Sequence, residues 1–181
     1  MIKLPLKNLS GLLLIALTLT GCDLFDKVDD VTFEGKLPVH FVVNEEMISE
    51  TPVVYSKTEI LDALDDAEIA KYKNKIKEIK LNRVTYKIEN FVAPGEVTFN
   101  NGSLKVGPSE KTLATATSVI LYNTAETEFD NIDLDGFNDF ARQIKDDKQV
   151  QINLSGSLSN TPAAFTLTAY FYVTVTADVL K

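Results

Sequence analysis

Cysteine and histidine, which often supply nucleophiles and transition-metal ligands, each occur once in this chain, as Cys22 and His40. A thiol–imidazole pair could be built only from these two residues, and a zinc site made of several Cys and His ligands is excluded. A single cysteine also excludes an intrachain disulfide. His40 falls on the polar side of an alternating segment, where a lone histidine is usually a solvated surface residue.

Other catalytic signatures are missing from the sequence. It contains neither a glycine-rich phosphate loop nor a Gly-x-Ser-x-Gly sequence. Pairs of carboxylates are plentiful, but none has a spacing that distinguishes a catalytic pair from surface acids. We therefore expect a protein that is not an enzyme and that holds no cofactor and no metal.

The residues before Cys22 have the three parts of a secretory signal peptide. Lys3 and Lys7 give a positive start, an apolar centre follows, and small residues precede the cysteine. The apolar stretch, 11–19, is too short to cross a bilayer, which takes about 20 residues. Residues 1–21 are therefore predicted to be a cleaved signal and not an anchor helix.

Four residues end this segment: Leu19, Thr20, Gly21 and Cys22. They resemble the lipobox of bacterial lipoproteins, in which an aliphatic residue, a small residue and Gly or Ala precede the cysteine. The resemblance implies cleavage by signal peptidase II before Cys22, diacylation of its thiol and a further acyl chain on the new amino group. Because burying an acyl chain contributes about 0.8 kcal/mol per CH₂, two or three chains hold a protein on a membrane. The resemblance covers residues 1–22 and implies an anchor, not an activity.

The stretch 22–30 is acidic and is expected to be a short tether. In enterobacterial lipoproteins, an aspartate directly after the cysteine, here Asp23, is associated with retention at the inner membrane. In some other lineages, acidic residues just downstream accompany export to the cell surface. Alternatively, Asp29 and Asp30 simply keep the tether solvated. We expect a lipid anchor in the bacterial envelope, with the outer membrane, facing periplasm or surface, favoured over the inner.

The charge of the chain bears on its partners. The formal net charge is −8, and without residues 1–21 it becomes −10, with 16 basic and 26 acidic residues. A phosphate backbone needs a basic surface, so the negative charge argues against a nucleic-acid partner and against electrostatic adhesion to anionic lipid, and we expect no nucleic-acid partner. The expected partners are a membrane, through acylated Cys22, and an envelope protein or an apolar ligand. The stretch 31–181 is the size of one domain.

Alternating apolar and polar residues predict strands over much of this stretch. The segment 31–41 alternates with a break expected near Gly35, and 165–179 is the clearest such run. In 77–91 the alternation changes phase at Asn82–Arg83, which predicts a β-bulge. Further strands are predicted over 113–122 and 150–154. The fold class expected is a mainly β, antiparallel sandwich or curved sheet of about seven strands, with one or two short packed helices.

Two turns are predicted to join strands as hairpins. Asn101–Gly102 separates 97–100 from 103–106, and this dipeptide favours a type I′ turn because both residues tolerate positive φ. Ser159–Pro162 is rich in turn residues, which predicts pairing of 150–154 with 165–179.

Two segments have a helical pattern instead. Ser56–Glu59 has the spacing of a capping box, and a helix is expected over 66–76. A second, amphipathic helix is predicted from the spacing of Leu134, Phe137, Phe140, Ala141 and Ile144.

One string resembles a calcium-binding loop. Asn131–Asp139 has alternating oxygen-bearing side chains and a glycine at the sixth position, but Arg142 stands where the bidentate Glu is needed. We therefore favour the alternative, an acidic first helical turn with Asp133 or Asp135 as the N-cap.

For function, the favoured hypothesis is a non-catalytic binding or structural module of the envelope, anchored through Cys22. The alternative is a carrier that holds an apolar or lipid ligand between sheet and helices. A carrier needs a cavity lined by residues such as Phe137, Phe140, Phe165 and Phe171, which a packed module would fill. A hydrolase that uses acidic residues is the third hypothesis. The outward Tyr170 and Tyr172 form a ligand-binding face, a face partly covered by another element, or a β-rich exterior with good cross-strand pairs.

Overall fold

The computed structural model describes residues 30–108 and 110–179. The strands are β1 (Asp30–Ser49), β2 (Val53–Asp62), β3 (Ile76–Val92), β4 (Thr98–Val106), β5 (Lys111–Ile120), β6 (Thr127–Glu128), β7 (Asn131–Ile132), β8 (Gln149–Leu158) and β9 (Thr161–Asp178). The helices are α1 (Ala67–Lys71) and α2 (Leu134–Asp147), with a 3₁₀ turn at Ala63–Asp65. The predicted signal peptide, the lipobox and most of the tether lie outside the described residues.

Two antiparallel sheets make up the fold. The four-stranded sheet has the order β1-β9-β3-β6, and the five-stranded sheet has the order β2-β8-β4-β5-β7. The prediction of a mainly β, antiparallel sandwich with few short helices is confirmed. The part of the chain that the structure describes has nine strands and not about seven, because β6 and β7 are two residues each, too short to produce a periodic pattern.

The alternation of β1 continues through the position where a break was expected. Gly35 pairs with Val173 inside an unbroken strand of 20 residues. A Cβ at Gly35 would lie 3.1 Å from Cγ2 of Val173 and 3.2 Å from Cδ1 of Ile69. The expectation of a break was wrong, since this glycine makes room for packing and not for a turn.

The phase change in β3 is a β-bulge, as predicted. The pairing register with β9 shifts between Leu81 and Arg83. Ile79 and Leu81 are buried before the shift, and Val84, Tyr86 and Ile88 are buried after it. The extra residue therefore lets both halves of the strand direct their apolar side chains into the core.

The hairpin predicted at Asn101–Gly102 was wrong, because both residues lie inside β4. Asn101 has the positive φ of 52° that the dipeptide suggested, but it forms a bulge: Asn101 and Gly102 together oppose the single residue Gly156 of β8. The chain reverses further on, after Gly107 (φ 67°), and β5 then pairs with β4.

The hairpin predicted between the last two strands was also wrong. β8 pairs with β2 and β4, whereas β9 pairs with β1 and β3. The bend at Ser159 and Asn160 is present, but it carries the chain from one sheet to the other. Alternation shows which side of a strand is buried and does not identify its neighbour.

The first helical prediction was mostly wrong. Ser56–Glu59 is part of β2, where its residues pair with β8. The helix expected over 66–76 is shorter: α1 ends at Lys71, and β3 begins at Ile76, which pairs with Ala177. Asp66 is the N-cap of α1, accepting hydrogen bonds from the backbone N–H groups of Glu68 and Ile69.

The amphipathic helix was predicted correctly. α2 packs Phe137, Phe140 and Ile144 into the core, and the Phe140 ring stacks on Phe171 at a centroid distance of 4.9 Å. The helix starts very close to β5. A Cβ on Gly136 would lie 2.1 Å from the backbone oxygen of Thr112, so only glycine permits this approach.

The two long sides of the sandwich differ. On one side, the segment 121–132 crosses between the sheets, with β6 added to β3 and β7 added to β5. On the other side, β1 and β2 are the outermost strands of their sheets. No helix among the described residues is long and apolar enough to cross a membrane.

Candidate functional site

The outward face of the four-stranded sheet brings the predicted tyrosines together with charged residues. The pairing register sets Tyr172 between Lys36 of β1 and Arg83 of β3, and Tyr170 between Pro38 and Thr85. We call the cluster of Lys36, Arg83, Thr85, Glu126, Tyr170 and Tyr172 the tyrosine cluster. Hydrogen bonds and cation–ring contacts connect these six side chains.

Cations cover both tyrosine rings. Nζ of Lys36 lies 3.9 Å from the ring centroid of Tyr170 and 5.1 Å from that of Tyr172. On the other side, Cζ of Arg83 lies 4.2 Å from the Tyr172 centroid. Such contacts stabilise exposed cations by about 0.5–1 kcal/mol. The ring faces are therefore used within the protein, which leaves less aromatic surface for stacking against a ligand.

Glu126 joins the three strands of the tyrosine cluster. Its carboxylate accepts hydrogen bonds from Nζ of Lys36 at 2.7 Å, from Oγ1 of Thr85 at 2.6 Å and from the hydroxyl of Tyr172. These bonds, that of Lys36 first, lower the pKa of Glu126 to about 2. The same contact raises the pKa of Lys36. Glu126 thus remains a carboxylate at neutral pH and covers part of the sheet.

Backbone contacts hold the segment that carries Glu126. The N–H of Thr124 donates to the carbonyl of Ile88, and the hydroxyl of Thr124 accepts from the N–H of Ile88. The amide oxygen of Asn123 accepts from the N–H of Phe91. Position 126 is thereby fixed beside β3. The outward face is partly covered by another element, which was one of the three interpretations of the sequence.

His40 lies on the same face of the sheet, two residues beyond Pro38 in β1, and pairs with Thr168 of β9. Its exposed ring places Nδ1 2.9 Å from Oγ1 of Thr168. Its predicted position on the polar side of a strand is confirmed. Cys22 lies outside the described residues, so the structure bears on neither its lipidation nor a thiol–imidazole pair.

The string that resembles a calcium loop is not a loop. It comprises β7, an N-cap and the first turns of α2. Oδ1 of Asp133 accepts hydrogen bonds from the N–H groups of Asp135 at 2.9 Å and Gly136 at 3.3 Å, which makes Asp133 the N-cap. No cluster of three or more His, Cys, Asp or Glu side chains suited to a metal occurs in the described part of the chain.

The arginine that replaces the calcium-loop glutamate has a structural role. Nη2 of Arg142 lies 2.5 Å from Oδ1 of Asp139, and Nε2 of Gln143 lies 2.8 Å from its Oδ2. The hydrogen bond from Arg142 is the main cause of the lowered pKa of Asp139. This carboxylate is buried, so its contacts within α2 satisfy its charge.

Side chains fill the interior between sheets and helix. The four phenylalanines that would line a carrier cavity are all buried: Phe137, Phe140, Phe165 and Phe171. A groove of about 330 Å³, partly open to solvent, is bordered by Phe137, Phe129, Arg83 and Glu128. An apolar space bordered by Tyr86, Phe99 and Phe129 measures only about 10 Å³. A space of this size holds at most one water molecule.

One end of the sandwich exposes apolar side chains that sequence reasoning missed. Four connecting segments meet there, 44–54, 90–97, 118–123 and 156–163, and we call this the apolar end. Met47 and Ile48 are each 84% exposed and Val54 is 83% exposed. Val92, Ile120 and Tyr122 are exposed at the same end. The sequence contained one indication, an apolar pair flanked by glutamates where the alternation of β1 stops.

The register places these segments together. Ser49 pairs with Thr161, and Leu158 pairs with both Val53 and Phe99. Ile120 pairs with Thr98, the first residue of β4. The opposite end, which we call the N-terminal end, holds Asp30 paired with Asp178, together with α1.

The comparisons with known proteins do not assign a function to this site. No family model matches the chain, and no curated protein matches it. A solved structure from Desmodium yellow mottle tymovirus matches with a TM-score of 0.34 and 11% sequence identity. The match covers 83% of this chain and 91% of that chain. At this level of similarity the match carries no conclusion about this protein.

Proposed function

We propose that this protein is a lipoprotein of the bacterial cell envelope, anchored through acylated Cys22, whose β-sandwich is a non-catalytic binding or structural module. The observation that carries the proposal is the fit of Leu19–Cys22 to the lipobox at the end of a signal-like segment. Seven residues separate Cys22 from Asp30, where β1 begins. A chain of this length spans at most about 25 Å, so the N-terminal end of the sandwich is held close to the membrane.

The pKa values of two carboxyl groups support a module without catalysis. The pKa of Glu126 and that of Asp139 are lowered by hydrogen bonds from Lys36 and Arg142. A general acid or base acts best with a pKa near the working pH, and for a carboxyl group this means a raised pKa. These two acids are instead held as carboxylates within ion pairs, which suits a structural role.

The packed interior favours this module over a carrier of an apolar ligand. Phe140 and Phe171 stack on each other and are fully buried, in the place where a ligand would have to lie. Ligand pockets for small molecules usually enclose about 300–1,000 Å³. The apolar space of about 10 Å³ beside Phe99 is far smaller, and the groove of about 330 Å³ beside Phe137 is partly open to solvent and bordered by the charged Arg83 and Glu128.

The anchor is tested by intact mass measurement of the full chain expressed in a bacterium and extracted from its membranes. We expect a chain that begins at Cys22 and carries two or three acyl groups. Cys22→Ser should prevent lipidation and cleavage. Leu24→Ser, two residues beyond the cysteine, is the matched control and should leave both unchanged. An unmodified thiol at Cys22 in the membrane fraction would refute the anchor.

The absence of a carried ligand is tested separately. We expect native mass spectrometry of residues 30–181, purified without detergent, to give the mass of the polypeptide alone. A co-purifying mass that is removed by solvent extraction would instead favour the carrier.

A further inference from the structure

The apolar end has an unusual composition. Its four segments contain the acidic residues Glu45, Glu46, Glu50 and Glu96 and no Lys, Arg or His. Glu46, Glu50 and Glu96 are exposed, close in sequence to the exposed apolar side chains. This end therefore combines apolar side chains with charge of one sign, whereas the tyrosine cluster contains charges of both signs.

Hydrogen bonds hold the most exposed part of this end. The hydroxyl of Thr161, at the start of β9, donates to the carbonyl of Met47. The hydroxyl of Ser49 donates to the carbonyl of Thr51 at 2.9 Å and accepts from its N–H at 3.2 Å. Met47 and Ile48 are therefore displayed at an ordered end of β1, and a partner that binds them has less conformational entropy to remove.

The position of this end limits what can cover it. β1 runs from the N-terminal end to Ser49 over 20 residues, a rise of roughly 60 Å. If the strands stand upright on the membrane, the proposed tether at Asp30 places the apolar end away from the anchoring bilayer. Its carboxylates also repel anionic lipid headgroups. Like charge opposes binding to the same end of a second copy.

We infer that the apolar end is a docking surface for an envelope protein that offers an apolar pocket surrounded by Lys and Arg side chains. Met47 and Ile48 enter the pocket, and Glu45, Glu46 and Glu50 pair with the basic residues around it. Clusters of apolar anchors within a polar rim are the usual arrangement at protein interfaces. The inference deepens the proposed function, on which it rests for the orientation of this end.

The test is photo-crosslinking in intact cells of the source organism. The full chain carries the photoreactive residue benzoylphenylalanine at position 48, or at position 60 as the matched control. Ile60 is also an exposed isoleucine, 63% exposed, but it lies near the opposite end of β2. We expect position 48 to give an adduct with one protein, in which apolar residues adjoin Lys or Arg at the crosslinked peptide, and position 60 not to form it.

Charge reversal tests the acidic rim. Glu45→Lys, Glu46→Lys and Glu50→Lys together should lower the yield of the adduct at least about tenfold, which corresponds to 1.4 kcal/mol. Glu34→Lys, on the outward face of β1, should leave the yield unchanged. The thermal midpoint of each variant confirms that it is folded.

Several results would overturn the inference. These are no adduct at position 48, the same adduct at both positions, an adduct with lipid or with a second copy, or a yield that charge reversal does not change. The mass of the Cys22 end, read in the same samples, separates this failure from that of the anchor. A missing acyl group with an intact adduct would refute only the proposed anchor.

Discussion

Glu126 shows how one side chain can organise an exposed sheet surface. It accepts hydrogen bonds from β1, β3 and β9, although it belongs to none of them. Nothing in the sequence around position 126 indicates this role, because its partners lie 41 to 90 residues away along the chain. The outward position of Tyr170 and Tyr172 follows from the alternation of β9, but their cation contacts depend on which strands are neighbours.

We expect Glu126→Gln to reduce the stability of the protein by about 1 kcal/mol at neutral pH, as for other partly exposed ion pairs. The folded pKa of about 2 lies below the ordinary value of 4.5. The carboxylate therefore adds stability above about pH 4.5, and this contribution is lost as the pH falls through the folded pKa of about 2. Urea unfolding at a series of pH values measures this effect. Between about pH 4.5 and pH 2, the free energy of unfolding should fall less in Glu126→Gln than in the unsubstituted protein.

Glu128→Gln is the control for this pH effect. Glu128 makes a longer contact of 3.8 Å with Arg83, and its side chain is 71% exposed. Its substitution should change stability little. If the two variants lost stability equally, the special role given to Glu126 would be wrong.

A different residue-level constraint applies at Gly136. In a calcium loop the sixth-position glycine permits a sharp turn, whereas Gly136 permits the close contact of α2 with β5. We expect Gly136→Ala to destabilise the protein by about 2 kcal/mol, since the methyl group meets the Thr112 backbone. Thermal or urea unfolding measures the effect.

Gly95 offers a matched control for this substitution. A Cβ at this position has no atom within 4 Å. Gly95→Ala should therefore be neutral or slightly stabilising. Equal effects of the two alanine substitutions would contradict the close approach described for α2.

At the scale of elements, sequence patterns identified the strands better than their partners. The alternation in β1 and β9 and the phase change in β3 reflect which side chains are buried, a local property of each strand. Asn101 shows the limit of such reasoning. Its positive φ was correctly expected, but the same conformation serves a hairpin turn or a bulge. The choice between them depends on pairing with β5 and β8, which is not encoded locally.

The open edge of β1 is protected by particular residues. Pro38 stands in the middle of the strand opposite Tyr170, and proline is tolerated where its missing N–H would face away from the neighbouring strand. Four residues along, the carbonyl of Val42 accepts a hydrogen bond from Nζ of Lys57 in β2, at 3.4 Å. Both features make this edge a poor template for another strand.

We expect Pro38→Val to increase self-association, because valine restores a backbone donor at the open edge and favours extended structure. Light scattering as a function of protein concentration measures the effect. Thr166→Val, on the same face but in the central strand β9, adds an apolar side chain without opening an edge. If Thr166→Val associated as strongly as Pro38→Val, side-chain hydrophobicity and not the edge would be responsible.

At the scale of the whole molecule, the two ends of the sandwich have different surroundings in the proposed arrangement. The N-terminal end lies within about 25 Å of the bilayer, the span of seven residues. The apolar end lies roughly 60 Å further away, if the strands stand upright on the membrane. The sequence predicted the tether and the net charge. Which residues lie at each end of the sandwich could be read only from the pairing register of β1 and β9.

This arrangement can be measured by energy transfer from a labelled protein to an acceptor dye on lipid headgroups. In the proposed lipidated form, acylation blocks the thiol of Cys22, the chain's single cysteine, so an introduced cysteine is the sole labelling site. In the lipidated protein reconstituted in vesicles, we expect a donor at Asn74→Cys, beside β3 at the N-terminal end, to transfer energy efficiently. A donor at Ile48→Cys should transfer little, because it lies near the limit of such transfer. Equal efficiencies would mean that the sandwich lies flat on the membrane, and the apolar end would then be able to reach the bilayer to which the protein is anchored.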